Sequence, residues 1–312
     1  MASTPLESLR DAYARTLISL GEEDPRLVVV DADLSSSTRT ILFQERFPER
    51  FFNTGISEQN LMGMAAGLAL CDRTVFASTF AVFATGRAWD QVRQSICYNQ
   101  ANVKIVATHG GITVGEDGAT HQSNEDVALM RVLPNMRVIV PSDSRQTEEV
   151  IRTVHKERGP FYVRLSREEF PVIHESGYCF TLGRYELLKE GRDTLVLATG
   201  KEVSEALTAA RELEKIGKSV AVADCASVKP LDEEFLLNAA SRYPRIVVAE
   251  EHQKAGGFAS AVAEFLSERH PVQIGRIGLE NVFGVSGKSS QLMAHYGLDS
   301  KGIYDYLQKF LG

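Results

Sequence analysis

Apolar residues first recur at helical spacing at Leu9, Tyr13, Leu17 and Leu20, which predicts one buried face of an amphipathic helix. Thr4-Pro5-Leu6-Glu7 ahead of it reads as a capping box with proline at the first helical position, and Gly21 reads as the stop. The run 27–30, ending in Asp31, predicts a buried strand. The pattern then alternates. Helices are expected at 57–70, 84–99 and 143–156, with a short one after residue 123. Strands are expected at 73–79, 103–108, 137–140 and 161–165, with a glycine-rich loop over 110–123. The alternation lapses between 168 and 191, where Pro171, Gly177, Gly183 and scattered charges read as a linker with a short strand or two. It resumes with strands at 194–198, 219–224, 245–249 and 272–277, helices at 203–216, 232–242 and 258–268, and two small closing helices. Short apolar strands alternating with helices predict an α/β protein of two domains, each a mostly parallel sheet with helices on both faces. The expected division is 1–172, a linker over 173–190, and 191–312.

Length agrees, since 312 residues exceed one ordinary domain. A chain that is 44% hydrophobic and 24% charged is not a disordered tail. A net charge of −7 argues against a nucleic-acid partner. Four cysteines without a CxxC exclude a zinc knuckle or a thioredoxin-type pair, and read as buried free thiols in a reducing cytosol rather than two disulfides. The start, with Glu7 and Arg10, lacks the apolar core of a signal peptide. No stretch approaches the roughly 20 apolar residues of a membrane helix. The expectation is a soluble, cytoplasmic protein with no membrane partner.

The densest chemical signal is GGITVGEDGATHQ, residues 110–122. Glycines at 110, 111, 115 and 118 let backbone approach a ligand and adopt positive φ. Glu116, Asp117, Thr120 and His121 lie among them, and His109 just before. The loop follows a predicted strand directly, where open α/β sheets bind ligands. A solvated acidic loop is the plain alternative, but glycine density, position and ionisable density agree on function. In Asn53-Thr54-Gly55-Ile56-Ser57-Glu58-Gln59-Asn60, Ser57 reads as an N-cap and Glu58 as the first helical residue. Gly63, Ala65, Ala66 and Gly67 then predict a tightly packed helix, which would bury Glu58. Taken alone, the helix dipole explains an acid at that position. Phe80 and Phe83 read as core, or as a platform for a flat heterocycle. Gly287-Lys288-Ser289 is no phosphate loop, because Val282 stands where its first glycine belongs. Gly256-Gly257 reads as a tight turn rather than an anion site.

Together these segments resemble the transketolase family of thiamine-diphosphate enzymes. GEDGATHQ is similar to the family's substrate-loop signature, and GISEQN to the segment holding its cofactor-activating glutamate. The resemblance spans the chain but only the C-terminal half of a full transketolase: the pyrimidine-binding domain and the C-terminal domain. The family grips the diphosphate and its Mg2+ or Ca2+ through Gly-Asp-Gly, which is absent from this sequence. The chain therefore resembles the C-terminal subunit of a split transketolase, starting naturally at Met1. It is expected to need an N-terminal subunit for the metal site and to assemble as two copies of each, with no metal ligand of its own.

The resemblance implies that Glu58 hydrogen-bonds the aminopyrimidine and triggers the cofactor, and that Phe80 and Phe83 pack against that ring. The family's third aromatic falls on Gly86, leaving a thinner wall unless Trp89 fills it. Asp117 and His121 would orient the donor sugar, with His121 counted as catalytic. Arg10, Ser37, His109 and Arg167 would contact its phosphate. The implied reaction moves a two-carbon ketol unit from a ketose phosphate to an aldose phosphate, as in the pentose phosphate pathway. A β-subunit of a 2-oxoacid dehydrogenase, a deoxyxylulose-phosphate synthase fragment and a non-catalytic scaffold are the alternatives. Asp117 and His121 argue against the dehydrogenase, since a polyol needs such contacts and an oxoacid does not. The C-terminal domain offers no evident catalytic group and is expected to pack and dimerise. The remaining histidines (155, 174, 252, 270, 295) are expected to be surface or structural.

Overall fold

The computed structural model describes residues 5–312. The larger of its two main sheets has seven strands, in the order Ser227–Lys229, Arg137–Ile139, Phe161–Arg164, Val103–Thr108, Thr74–Phe80, Leu27–Asp31 and Phe51–Asn53. Only its first pair is antiparallel. The smaller has five strands, in the order Gln273–Leu279, Arg245–Gln253, Thr194–Ala198, Val220–Asp224 and Glu186–Lys189, with only the last pair antiparallel.

Alternation along each strand divides the core. Val28, Val30, Val75 and Ala77 pack with Leu61, Met62 and Ala65 of the helix Glu58–Leu70. Leu27, Val29 and Phe76 point the other way, onto Leu9, Tyr13 and Leu17 of the helix Leu9–Glu23. Helices on both faces explain why these strands are apolar at nearly every position.

The first helix differs from expectation at both ends. Leu6–Ser8 is a strand, paired antiparallel with Glu169–Pro171, so Ser8 is the N-cap and accepts from the Asp11 amide at 3.2 Å. Thr4, the expected cap, lies outside the described residues. Gly21 does not end the helix. A Cβ there would press on Phe43 and Phe47 at 2.7–2.8 Å, so Gly21 permits packing, and the helix runs to Glu23. The segment expected as one helix over 84–99 is wound wide in two parts, Phe83–Arg87 and Val92–Tyr98, with α-helix only at Trp89–Gln91. The Ala88 amide reaches back five residues to the Phe83 carbonyl.

Two features lock the halves together. Ser227–Lys229, from the second half, is an edge strand of the first sheet. Beside it His174 is buried between Asp143 and Asp224, 3.0 and 3.3 Å away. Burial opposes charge on this ring, but the bonds to both carboxylates outweigh it and raise the His174 pKa to about 10. All four cysteines are free. Cys97 and Cys225 are buried as expected, whereas Cys71 and Cys179 are exposed, since each lies in a surface turn or loop. Among the described residues no helix is long and apolar enough to cross a membrane.

Candidate active site

Glu58 opens its helix with only 2% of its surface exposed. Ser57 precedes it but gives no side-chain cap; its Oγ donates to the Thr54 carbonyl at 2.7 Å. The small residues behind Glu58 divide their work. Ala65 and Ala66 are buried, while Gly63 and Gly67 lie on the exposed face with open space where a Cβ would be. The helix is thus seated in the core by Leu61, Met62 and the alanines, not by glycine packing. Both carboxylate oxygens accept from Arg87 Nη1 at 3.1 Å. The same guanidinium lies 4.9 Å from the centre of the Phe83 ring.

Four rings gather next to this pair. Phe80 and Phe83 are 5.8 Å apart and nearly parallel. His109 stacks on Phe80 at 3.7 Å, and His121 meets Phe83 edge-on at 5.6 Å. Trp89 does not fill the gap at Gly86. Its indole N–H is committed to the Leu129 carbonyl at 2.9 Å, and Gly86 stands open. His109 is buried, and burial, followed by the charges of Arg10, Arg167 and His121, lowers its pKa to about 3. It is a neutral imidazole at physiological pH, with Nδ1 2.8 Å from Thr108 Oγ1.

The glycine-rich loop leaves the strand Val103–Thr108 and makes a short 3-10 turn, Ile112–Asp117, kinked at Gly115. Its first two glycines make room for two buried side chains, Arg164 at Gly110 and Glu251, from the second half of the chain, at Gly111. Gly111 has φ +84°, and a Cβ there would overlap the Glu251 carboxyl. That carboxyl accepts the Thr113 amide at 2.7 Å. Burial raises the Glu251 pKa, although Arg164, 3.8 Å away, and Thr113 oppose the shift. Arg164 is itself buried against Asp126 at 2.8 Å and donates to the Glu251 carbonyl at 2.9 Å. Asp117 is exposed and makes no side-chain bond among the described residues. His121 is half-buried, with Nδ1 2.9 Å from Thr120 Oγ1.

At the far end of the loop Arg10 ties three segments. Its Nη1 donates to the Ser37 carbonyl and its Nη2 to the Arg167 carbonyl, both at 2.8 Å. Arg167 Nη1 donates to the Val114 carbonyl at 2.6 Å. Arg10 and Arg167 line one cleft with Glu116, Glu168, Lys288 and Ser289. The sequence-selected residues thus meet along one strip, from Glu58 through the four rings and the loop to Arg10, Ser37 and Arg167. Ser37 enters through its carbonyl, not its hydroxyl.

Three participants escaped sequence reasoning. Arg87 left a signal, a cation four residues beyond Phe83. Glu251 left another, an acid two residues past the apolar run 246–249. Lys288 gives no signal of its own, because Gly287-Lys288-Ser289 is not a phosphate loop. Gly256-Gly257 is also more than a turn. The Glu250 carboxylate occupies the helix start beyond it, accepting the Phe258 and Ala259 amides at 2.7 and 2.9 Å. Among the described residues no group of three or more His, Cys, Asp or Glu is placed to hold a metal ion.

The profile of the transketolase pyrimidine-binding domain matches residues 7–172, and that of the transketolase C-terminal domain matches residues 183–303. A Methanocaldococcus jannaschii protein provisionally named as a transketolase C-terminal section is 47% identical over 95% of this chain and 94% of its own. A 6-deoxy-6-sulfo-D-fructose transketolase subunit of a Clostridium species is 40% identical over 95% of this chain and 92% of its own. A solved split-gene transketolase, described as an inactive β4 tetramer, superposes with a TM-score of 0.91 at 48% identity. The match covers 97% of this chain and 98% of that one.

Proposed function

The chain belongs to the transketolase family as a C-terminal section, and we propose that it works as one subunit of a two-subunit enzyme moving a ketol unit between sugar phosphates. The observation that carries this reading is the setting of Glu58. A buried carboxylate faces a flat N–H donor lying near Phe83, and that donor is the Arg87 guanidinium. An aminopyrimidine asks for the same setting, so the residues fit the ring of thiamine diphosphate. Arg87 has to give way to it.

Thiamine diphosphate, when bound, supplies the carbon nucleophile that carries the two-carbon fragment. This chain's residues prepare it. Glu58 holds a proton at the pyrimidine nitrogen, Phe80 and Phe83 flank the ring, and the surrounding aromatics exclude water. His121 and Asp117 orient the hydroxyl and carbonyl end of the donor. His109, neutral and pinned on Phe80, offers a hydrogen bond without adding charge. Arg10 and Arg167 face the donor's phosphate, with Ser37 holding Arg10 through its carbonyl. The work divides between residues 1–172, which carry these groups, and 191–312, joined through 173–190.

The diphosphate and its Mg2+ or Ca2+ belong to an N-terminal partner bearing Gly-Asp-Gly. Support comes from the absence of that motif here and from relatives named as subunits. The relative described as an inactive β4 tetramer supports the view that such a chain alone associates with itself and does not turn over. Closed symmetry then favours two copies of each subunit, in the cytoplasm. Calorimetry with thiamine diphosphate and magnesium, on this chain and then with the partner, followed by a ketol-transfer assay, tests the reading. Tight metal-dependent binding and turnover by this chain alone would overturn it.

A further inference from the structure

The phosphate contacts implied by resemblance all lie in the first half of the chain, at Arg10, Ser37, His109 and Arg167. The cleft between Arg10 and Arg167 has a second wall. The segment Val285–Ser289, from the second half, lies along the substrate loop. Gln122 Nε2 donates to the Val285 carbonyl at 3.0 Å. A Cβ on Gly115 would stand 3.3 Å from the Gly287 carbonyl. A Cβ on Gly118 would overlap the Ser286 hydroxyl. The segment therefore sits where no side chain could intervene, and it delivers Lys288 to a cleft of about 350 Å³.

Donor supply distinguishes the three cations. Arg10 spends Nη1 and Nη2 on backbone carbonyls, and its Nε is buried without a partner. Arg167 spends Nη1 on the Val114 carbonyl and lies 4.0 Å from Glu116. Lys288 makes no ion pair and no side-chain hydrogen bond among the described residues, so its three N–H donors are free. Three cations face two carboxylates, Glu116 and Glu168, leaving a surplus positive charge.

We propose that Lys288 is a specificity-determining residue that reaches from the C-terminal half to the phosphate at the far end of the donor sugar. The arginines shape the cleft and set its potential, and the lysine supplies uncommitted donors. This rests on the ketol-transfer reading.

The test uses the enzyme reconstituted with an N-terminal transketolase subunit, comparing fructose 6-phosphate with the neutral ketose L-erythrulose. Lys288→Met is expected to raise KM for the phosphate about 5- to 20-fold, the loss of a charge-assisted bond discounted for exposure. Its kcat should stay within about twofold and its erythrulose kinetics should not change, because the neutral sugar has nothing to present to an ammonium group. Lys288→Arg should restore most of the loss. An unchanged KM, or equal losses on both sugars, overturns the proposal. Wild-type enzyme that turns over neither ketose would sink the ketol-transfer reading instead. In that event, titration of inorganic phosphate into this chain, followed by 31P line width, decides the role of Lys288. Weaker binding by Lys288→Met upholds it, and equal binding removes it.

Discussion

The two ends of the candidate site are built differently. At the sugar's far end, walls from both halves of this chain meet: Arg10, Arg167 and the substrate loop on one side, Val285–Ser289 on the other. At the ring end, Glu58 is buried from behind, yet among the described residues its only side-chain partner is Arg87, which is about half exposed. Ile56 and Gly86 stand open beside it. The cleft around Arg10 and Arg167 is walled by both halves of the chain, whereas the setting of Glu58 stays open on one side. Under the proposed function, a single polypeptide is thus able to recognise a sugar phosphate while unable to act on it.

The largest expected effect lies at the ring end. Glu58→Gln in the reconstituted enzyme should lower turnover by roughly 10²- to 10⁴-fold, the usual share of a positioned proton donor, with an unchanged melting curve. Near-normal turnover would erase the distinction between the two ends. Arg167→Ala should act on the other end, raising KM for a ketose phosphate about 10- to 100-fold with kcat little changed. Equal effects on phosphorylated and neutral ketoses would remove Arg167 from the phosphate contacts.

The His174 seam between the two halves should weaken in alkali. Folded His174 has a pKa of about 10 against an ordinary 6.5, so its protonated form stabilises the fold. That contribution is complete below about pH 6.5, declines above it, and is lost as pH rises through about 10. Urea midpoints should therefore fall more steeply between pH 7 and 10 for wild type than for His174→Gln. Parallel slopes would place the alkaline sensitivity elsewhere. The smallest effect concerns Arg87. Because Arg87 is about half exposed, solvent screens its pair with the buried Glu58 to about 1 kcal/mol, so Arg87→Ala should tighten thiamine diphosphate binding by the reconstituted enzyme only a few-fold. Weaker binding would mean that Arg87 holds the coenzyme rather than yielding to it.

Much of this was legible in the chain. Strands buried on both faces leave nearly unbroken apolar runs, so Thr194–Ala198 and Leu27–Asp31 announce themselves. Asp143 before Ser144–Lys156 marked its helix start, and its side chain does cap Gln146. The strands Leu6–Ser8 and Ser227–Lys229 stayed hidden because three residues carry no periodicity and their partners are far away in sequence. Within the site, the glycine-rich loop was visible by composition, and Glu58 by its place after Ser57. Arg87, Glu251 and Lys288 were not, because what matters about them is a neighbour 29 or more residues away along the chain. Gly63 and Gly67 misled, since a small residue reads alike whether its face is packed or bare.

The edge strand Ser227–Lys229 changes what the linker means. Arg137–Ile139 keeps its outer hydrogen bonds only while a segment from beyond residue 190 lies against it. A fragment ending near residue 172 would carry a raw sheet edge, prone to pairing with its neighbours. A protease nick between 173 and 190 would instead leave two pieces still zipped together by backbone bonds and the His174 knot. The covalent connection is the less important of the two joints.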